Sequence, residues 1–174
     1  MMTDRQPIET TNLDIYGDDV LPWSRAYDLI AHGDPTADLT WFLGTVGADG
    51  HPHAAGVGAG WHDGDIYFTS GPGTRKSRHL VANPAASISV RLPGIDLVFE
   101  GTVERVTDRP TLEALVKKFN AGGWPATIDG DAVTAPFSAP SAGPPPWYVY
   151  RFRFDKVIGV ATTEPYGATR WRFA

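Results

Sequence analysis

The sequence predicts a mainly β fold, with antiparallel strands closed into a barrel and helices at its periphery. Three observations predict it. Residues 96–106 (DLVFEGTVERV) and 147–160 (WYVYRFRFDKVIGV) alternate apolar and polar side chains with the period of a half-buried strand. The turn formers Asp49-Gly50, Asp63-Gly64 and Pro93-Gly94 join strand-like segments by short connections, which impose antiparallel pairing. Helical periodicity is confined to short stretches, and antiparallel strands in this number tend to close on themselves to protect their edges.

Taken in order, residues 1–20 read as a loose, polar N-terminal arm and 21–174 as the folded domain. In DDVLPWSRAYDLI, Pro22 suits a first helical turn, and Trp23, Ala26, Tyr27 and Ile30 recur at helical spacing until Gly33, Asp34 and Pro35 stop the helix. A β-branched and aromatic strand follows over 40–46. A second strand over 53–61 is nearly all glycine and alanine, and such bare strands let another group approach the backbone closely. IYFTS is a third strand. Thr74 caps a short helix to about Ala82, ended by Asn83-Pro84, and ASISVRL and the 96–106 segment are further strands. Leu112, Leu115, Val116 and Phe119 give the clearest helix. Residues 121–146 read as an irregular loop rich in Pro, Gly, Ala and Ser. A long loop of that kind is functional or disordered, and its Trp124 and Phe137 suit either a lid over a pocket or a simple anchor.

Composition limits the function. The chain of 174 residues carries a net charge of −5, which argues against general nucleic-acid binding. It has no cysteine, so disulfides and thiolate metal sites are excluded. It offers no apolar stretch of membrane-spanning length and no signal-peptide pattern, and the expectation is a cytoplasmic protein with no membrane partner. His51, His53 and His62 lie near one another across turns without a supporting carboxylate, so no metal is expected.

One stretch stands out in this acidic chain. TSGPGTRKSRHLVANP (69–84) gathers Arg75, Lys76, Arg78 and His79 behind a glycine turn. The first turn of a helix offers free N–H groups and a partial positive charge. Thr74 and Ser77 add hydroxyls, Arg75 a planar fork and Lys76 a mobile charge. The residues alone allow two readings: a site for phosphate or another compact anion, or a solvated helix end whose cations pair with nearby carboxylates. The spacing is not that of a P-loop.

The run from Leu39 to Val90 resembles the pyridoxamine 5'-phosphate oxidase-like superfamily of FMN-binding split β-barrels. The matching features are Asp49-Gly50, Pro52, the Gly64–Thr69 strand, Arg75-Lys76, Leu80 and Asn83-Pro84, continuing through GTVERVTD (101–108) and the ending ATRWRF. The resemblance implies a homodimeric split barrel with a flavin at the subunit interface. It places Arg75 and Lys76 on the flavin phosphate with Thr69, Ser70 and Thr74 close by. It runs Thr45 to Gly47 and Ala55, Gly56, Val57 and Gly58 near the ring or ribityl chain, and lets Trp171 and Arg172 reach the cofactor or close the barrel. It also implies that a monomer exposes the aromatic strand 147–160, although from the residues alone its Tyr148–Phe154 face reads as barrel core or dimer interface.

Two departures separate the chain from true pyridoxamine phosphate oxidases. Ala55 and Gly60 stand where those enzymes carry second-strand cations, and the chain lacks their Arg-Leu-x-Pro ending. The expected function is therefore an FMN-dependent oxidoreductase on another small molecule. The alternatives are a reductase using coenzyme F-420, a deazaflavin, and a non-enzymatic binder of flavin, haem or tetrapyrrole. No side-chain general acid or base is identified, since hydride transfer belongs to the cofactor.

Overall fold

The computed structural model describes residues 5–34 and 37–174; Pro35 and the first four residues of the arm lie outside the described residues. In chain order the elements are β1 (Glu9–Asn12), α1 (Trp23–Ala31), β2 (Trp41–Val46), β3 (Pro52–Val57), β4 (Ala59–His62), β5 (Asp65–Ser70), α2 (Arg75–Ala82), β6 (Ala85–Leu92), β7 (Ile95–Val106), α3 (Arg109–Ala121), β8 (Thr127–Asp129), β9 (Ala132–Thr134), β10 (Tyr148–Ala161) and β11 (Ala168–Arg172).

The barrel closes because two strands are shared between neighbours. The single bare strand expected over 53–61 breaks at Gly58: β3 pairs with β2, whereas β4 pairs with β5. β10 pairs with β5 through its first half and with β7 along its length. With β7 on β6 and β6 on β2, all antiparallel, the circuit returns to its start. The second half of β10 leaves the circuit to pair with β11, and β11 with β1. This is a split β-barrel.

Alternation fills the interior. Leu43, Ile66, Phe68, Ile88, Phe99 and Phe152 are fully buried there, each stabilising the fold by roughly 1.5–3 kcal/mol relative to exposure. A bulge between Phe154 and Lys156 presses β10 onto β7, where a Cβ at Gly101 would meet the Arg153 carbonyl oxygen at 2.0 Å, so glycine is required. Trp23 of α1 closes one end of the core, its ring 4.9 Å from Phe173 and 5.4 Å from Trp171.

A second, smaller core lies outside the barrel wall. Leu112 and Leu115 of α3, Val133 of β9, and Trp147 pack on Tyr67, Val106 and Val149. Asp108 caps α3 by accepting a hydrogen bond from the Thr111 N–H at 3.0 Å.

Three expectations change. The N-terminal arm is not loose: β1 pairs in register with β11, and the Arg5 guanidinium binds Asp65 and the carbonyls of Phe154 and Ala174. The 121–146 segment is not wholly irregular, because β8 and β9 form a hairpin and Pro140–Ala142 a 3-10 turn. The aromatics of the 147–160 strand are not exposed. Trp147, Tyr150, Phe152 and Phe154 are buried within the chain, and the apolar side chains left open on the sheet are Phe42, Val98 and Val160.

Candidate functional site

Between barrel and outer core lies a cavity of about 630 Å³, within the ~300–1,000 Å³ of small-molecule sites. One wall is the backbone from Gly56 to Trp61; the others come from the end of α1, from Leu115, Lys118 and Phe119 of α3, and from the 137–142 loop. A Cβ added at Gly56, Gly58 or Gly60 would meet nothing within 4 Å. These glycines therefore do not make room for a neighbour within the chain. They leave open space along the strand, where a flat group can lie against backbone.

α2 brings the cations to this wall. Its N-cap is built from hydroxyls: the Thr74 side chain accepts from the Ser77 N–H and donates to the Gly71 carbonyl at 2.9 Å, and Ser70 lies 2.8 Å from Thr74 and 3.0 Å from Ser77. The helix then separates Arg75 from Lys76 by its turn of 100° per residue. Lys76, Ser77 and Leu80 form the buried face.

Lys76 is 4% exposed and lines the cavity. Its ammonium donates to the Ser141 carbonyl at 2.5 Å, and among the described residues no carboxylate pairs with it. Of its three N–H donors, two have no protein acceptor among the described residues. Burial alone holds its pKa below the usual lysine range. Ser141 also donates from its hydroxyl to the Gly56 carbonyl at 3.3 Å, so the loop is latched to both α2 and the bare strand. Arg75 lies outside, exposed, with no hydrogen bond or ion pair among the described residues. Its field reaches His53, whose pKa is lowered by burial first and then by Arg75, His79 and Lys76. His53 and His79 meet edge to face at 5.7 Å, and His79 Nδ1 sits 3.0 Å from the Thr45 hydroxyl.

The sequence pattern described as Pyridoxamine 5'-phosphate oxidase matches residues 36–160, well over half of the chain. This chain belongs to the pyridoxamine 5'-phosphate oxidase family. Solved structures share its split barrel. An F420 reductase is 24% identical over 75% of this chain and 94% of that one, with a TM-score of 0.51. A haem-binding protein from Mycobacterium smegmatis is 17% identical over 86% of this chain and 59% of that one, with a TM-score of 0.59. General Stress Protein 26 from Bacillus anthracis is 15% identical over 78% and 93%, with a TM-score of 0.52. At these identities the likeness is one of fold. No curated protein matches the sequence.

Within this pyridoxamine 5'-phosphate oxidase family barrel, the expected site residues divide. Lys76, Thr69, Gly56 and Val57 line the cavity together. Ala55 precedes them on β3 but does not line the cavity. Arg75 stands outside the cavity, and the hydroxyls of Ser70 and Thr74 are engaged with one another. Trp171 and Arg172 do not line the cavity. Trp171 is fully buried against Gly159 in the barrel core, and Arg172 lies 4.0 Å from Glu9. The sequence reading missed His62 and Lys118, which both line the cavity. Trp124 anchors its loop: its ring meets Phe119 edge to face at 5.3 Å and Trp147 at a tilt at 5.7 Å, and its indole N–H donates to the Phe137 carbonyl at 2.6 Å. Phe137 lines the cavity and stays 59% exposed. Among the described residues no three His, Asp or Glu side chains converge on a metal-sized space, and no helix is long and apolar enough to cross a membrane.

Proposed function

We propose that this chain is an FMN-binding oxidoreductase acting on a small molecule. The carrying observation is the cavity itself: a strand stripped of side chains at Gly56, Gly58 and Gly60 beside a buried lysine with unused donors. The residues fit the cofactor. Lys76 and the free Arg75 at the start of α2 hold its phosphate, with the first-turn N–H groups adding dipole. The bare strand accepts the ring system, and Trp41, Trp61 and the 137–142 loop keep water from it. Bound there, FMN supplies hydride chemistry, and the chain supplies position, charge and a dry pocket. Among the described residues, no carboxylate competes with a flavin phosphate for Lys76.

Two other readings rest on specific observations. The fold likeness to an F420 reductase, together with Ala55 and Gly60 in place of cations, supports a deazaflavin in the same cavity. The fold likeness to a haem-binding protein, with His62 in the lining, supports a haem site. We also assign a homodimer, formed through the sheet face that leaves Phe42 and Val98 open, with Gly56 at its edge. Sedimentation at micromolar concentration should give twice the chain mass, and a clean monomer would remove the interface.

Titration with FMN, riboflavin, F-420 and haem, followed by visible spectra and calorimetry, decides among the cofactors. FMN should bind more tightly than riboflavin. Arg75→Ala should weaken FMN by about 10- to 150-fold, the worth of one charge-assisted hydrogen bond. Arg75→Lys should lose less, because it keeps the charge without the fork. Arg91→Ala, whose guanidinium pairs with Asp96, should change nothing. Equal affinity for FMN and riboflavin, or an Arg75→Ala protein that binds FMN like the parent, refutes the phosphate assignment.

A further inference from the structure

The segment between α3 and β10 carries two cavity-lining rings before Trp147, and they are held differently. Trp124 packs on Phe119 and Trp147. Phe137 belongs to neither hydrophobic core and meets no other aromatic ring among the described residues. Among the described residues it is also the exposed member of the cavity's large apolar lining, at 59%, whereas Trp41, Trp61, Tyr67 and Leu115 are buried. A single exposed phenylalanine needs no explanation by itself. This one sits on backbone that is fixed around it. Pro136 and Pro140 restrict φ on either side. The Phe137 carbonyl accepts from the Trp124 indole N–H at 2.6 Å, and the Ala142 carbonyl accepts from the Gly71 N–H at 2.7 Å. Ser141 accepts from Lys76 through its carbonyl and donates from its hydroxyl to the Gly56 carbonyl.

The Phe137 ring takes part in none of these bonds, so it can change rotamer without breaking one, on the fast timescale of exposed side chains. The Ser141 hydroxyl joins the loop to β3 at Gly56, which makes the loop and the bare strand adjoining walls of one cavity. A flat molecule laid on glycine backbone has one face covered by it, and its other face is open to a second ring. Aromatic rings gain from offset or edge-to-face contact beyond the area they bury, and a saturated ring offers no such contact. We infer that Phe137 sets ligand specificity: its ring turns inward and stacks on a flat, conjugated molecule, which the cavity thereby prefers to a saturated molecule of the same size. Which flat molecule is the natural one rests on the redox reading above, and the stacking does not.

The probes are 2-naphthol and its saturated counterpart decahydro-2-naphthol, read by calorimetry and by NMR of ring-labelled phenylalanine. Phe137→Leu should weaken naphthol by about 2- to 12-fold, the worth of one aromatic pair, and leave decahydronaphthol unchanged. Phe137→Tyr should keep the parent's affinity for both. Tyr166→Leu, exposed and outside the cavity, should change neither. The Phe137 ring signals, assigned by their loss in Phe137→Leu, should move further with naphthol than with decahydronaphthol. FMN titrated separately into the parent keeps the two readings apart. Phe137-dependent naphthol binding without FMN binding refutes the cofactor and leaves the specificity residue standing, and FMN binding with Phe137-independent naphthol binding does the reverse. Naphthol affinity unchanged in Phe137→Leu, an equal loss for both probes, no detectable naphthol binding, or unmoved Phe137 signals overturns the stacking.

Discussion

The barrel and the outer core bury similar side chains but are held in place differently. In the barrel, hydrogen-bonded ladders run from strand to strand around the full circuit. The outer core is tied by less backbone: the short β8–β9 hairpin, an isolated bridge between Val133 and Trp147, a hydrogen bond from the Gly71 N–H to the Ala142 carbonyl at 2.7 Å, and side-chain contacts to the wall. Single strands serve both cores, because successive residues of a strand face opposite sides. Ile66 and Phe68 point into the barrel while Tyr67 points outward, and Val149 faces the outer core while Tyr150 and Phe152 face the inner one. The outer layer can therefore loosen without breaking the barrel ladder, and the cavity lies along the seam between them. Ligand sites belong at such seams, where one wall is rigid and the other is free to yield.

The sharpest way to break this contrast is a matched pair of truncations. Phe152→Ala in the barrel should cost about 3–5 kcal/mol of global stability, read as a lower midpoint in urea. Leu115→Ala in the outer core should cost about 2 kcal/mol or more, and its signature should be local. Hydrogen exchange should rise across α3 and the 127–147 segment while β6 and β7 keep their protection. A Leu115→Ala protein that loses protection evenly would show the two layers to be one cooperative unit.

A smaller effect sharpens the contrast at the latch. Lys76→Met removes the donor to the Ser141 carbonyl. Backbone exchange over 137–142 should quicken, and FMN affinity should fall by about 10- to 150-fold. In the parent, FMN should slow exchange in the same segment, as expected for a loop that closes over its ligand. Equal exchange with and without FMN would leave the loop a fixed wall. The smallest effect belongs to Thr74→Ala, which should lose about 1 kcal/mol of stability with the α2 cap and leave the barrel ladder unchanged.

The sequence made the barrel legible because burial on one face of a strand writes itself as alternation, and β7 and β10 are long enough to show it. β1 was not legible. It reads ETTN, an edge strand with one half-buried side chain, so no apolar pattern marks it. The β8–β9 hairpin did carry a signal, Asp129-Gly130, of the kind that marks the Asp49-Gly50 turn, but strands of three residues are too short to display a period. At the site, the pair Arg75-Lys76 was visible as charge, yet its division between cavity and solvent was not drawn from it. The clue was present: Lys76 lies four residues before Leu80 and shares its helical face. Lys118 carried a similar clue, standing three residues after Leu115 and next to Phe119 on the apolar side of α3. His62 gave none, because its approach to α3 is set by tertiary packing.

The shared role of β10 bears on how the chain comes to be folded. This strand completes the hydrogen bonds of β5 and β7 at once, and it supplies side chains to both cores. During synthesis, β5 and β7 emerge long before residues 148–161 are made. Until then each presents an open edge, and pairing across such sequence distances is slow. The nascent chain must pass this interval without joining edge to edge with its copies. Charges along the waiting edge suit that need: Glu100 and Glu104 of β7 face outward and later pair with Lys156 and Arg151 of the arriving strand. The same acids that steady the finished sheet would make its unfinished edge repellent to another like it.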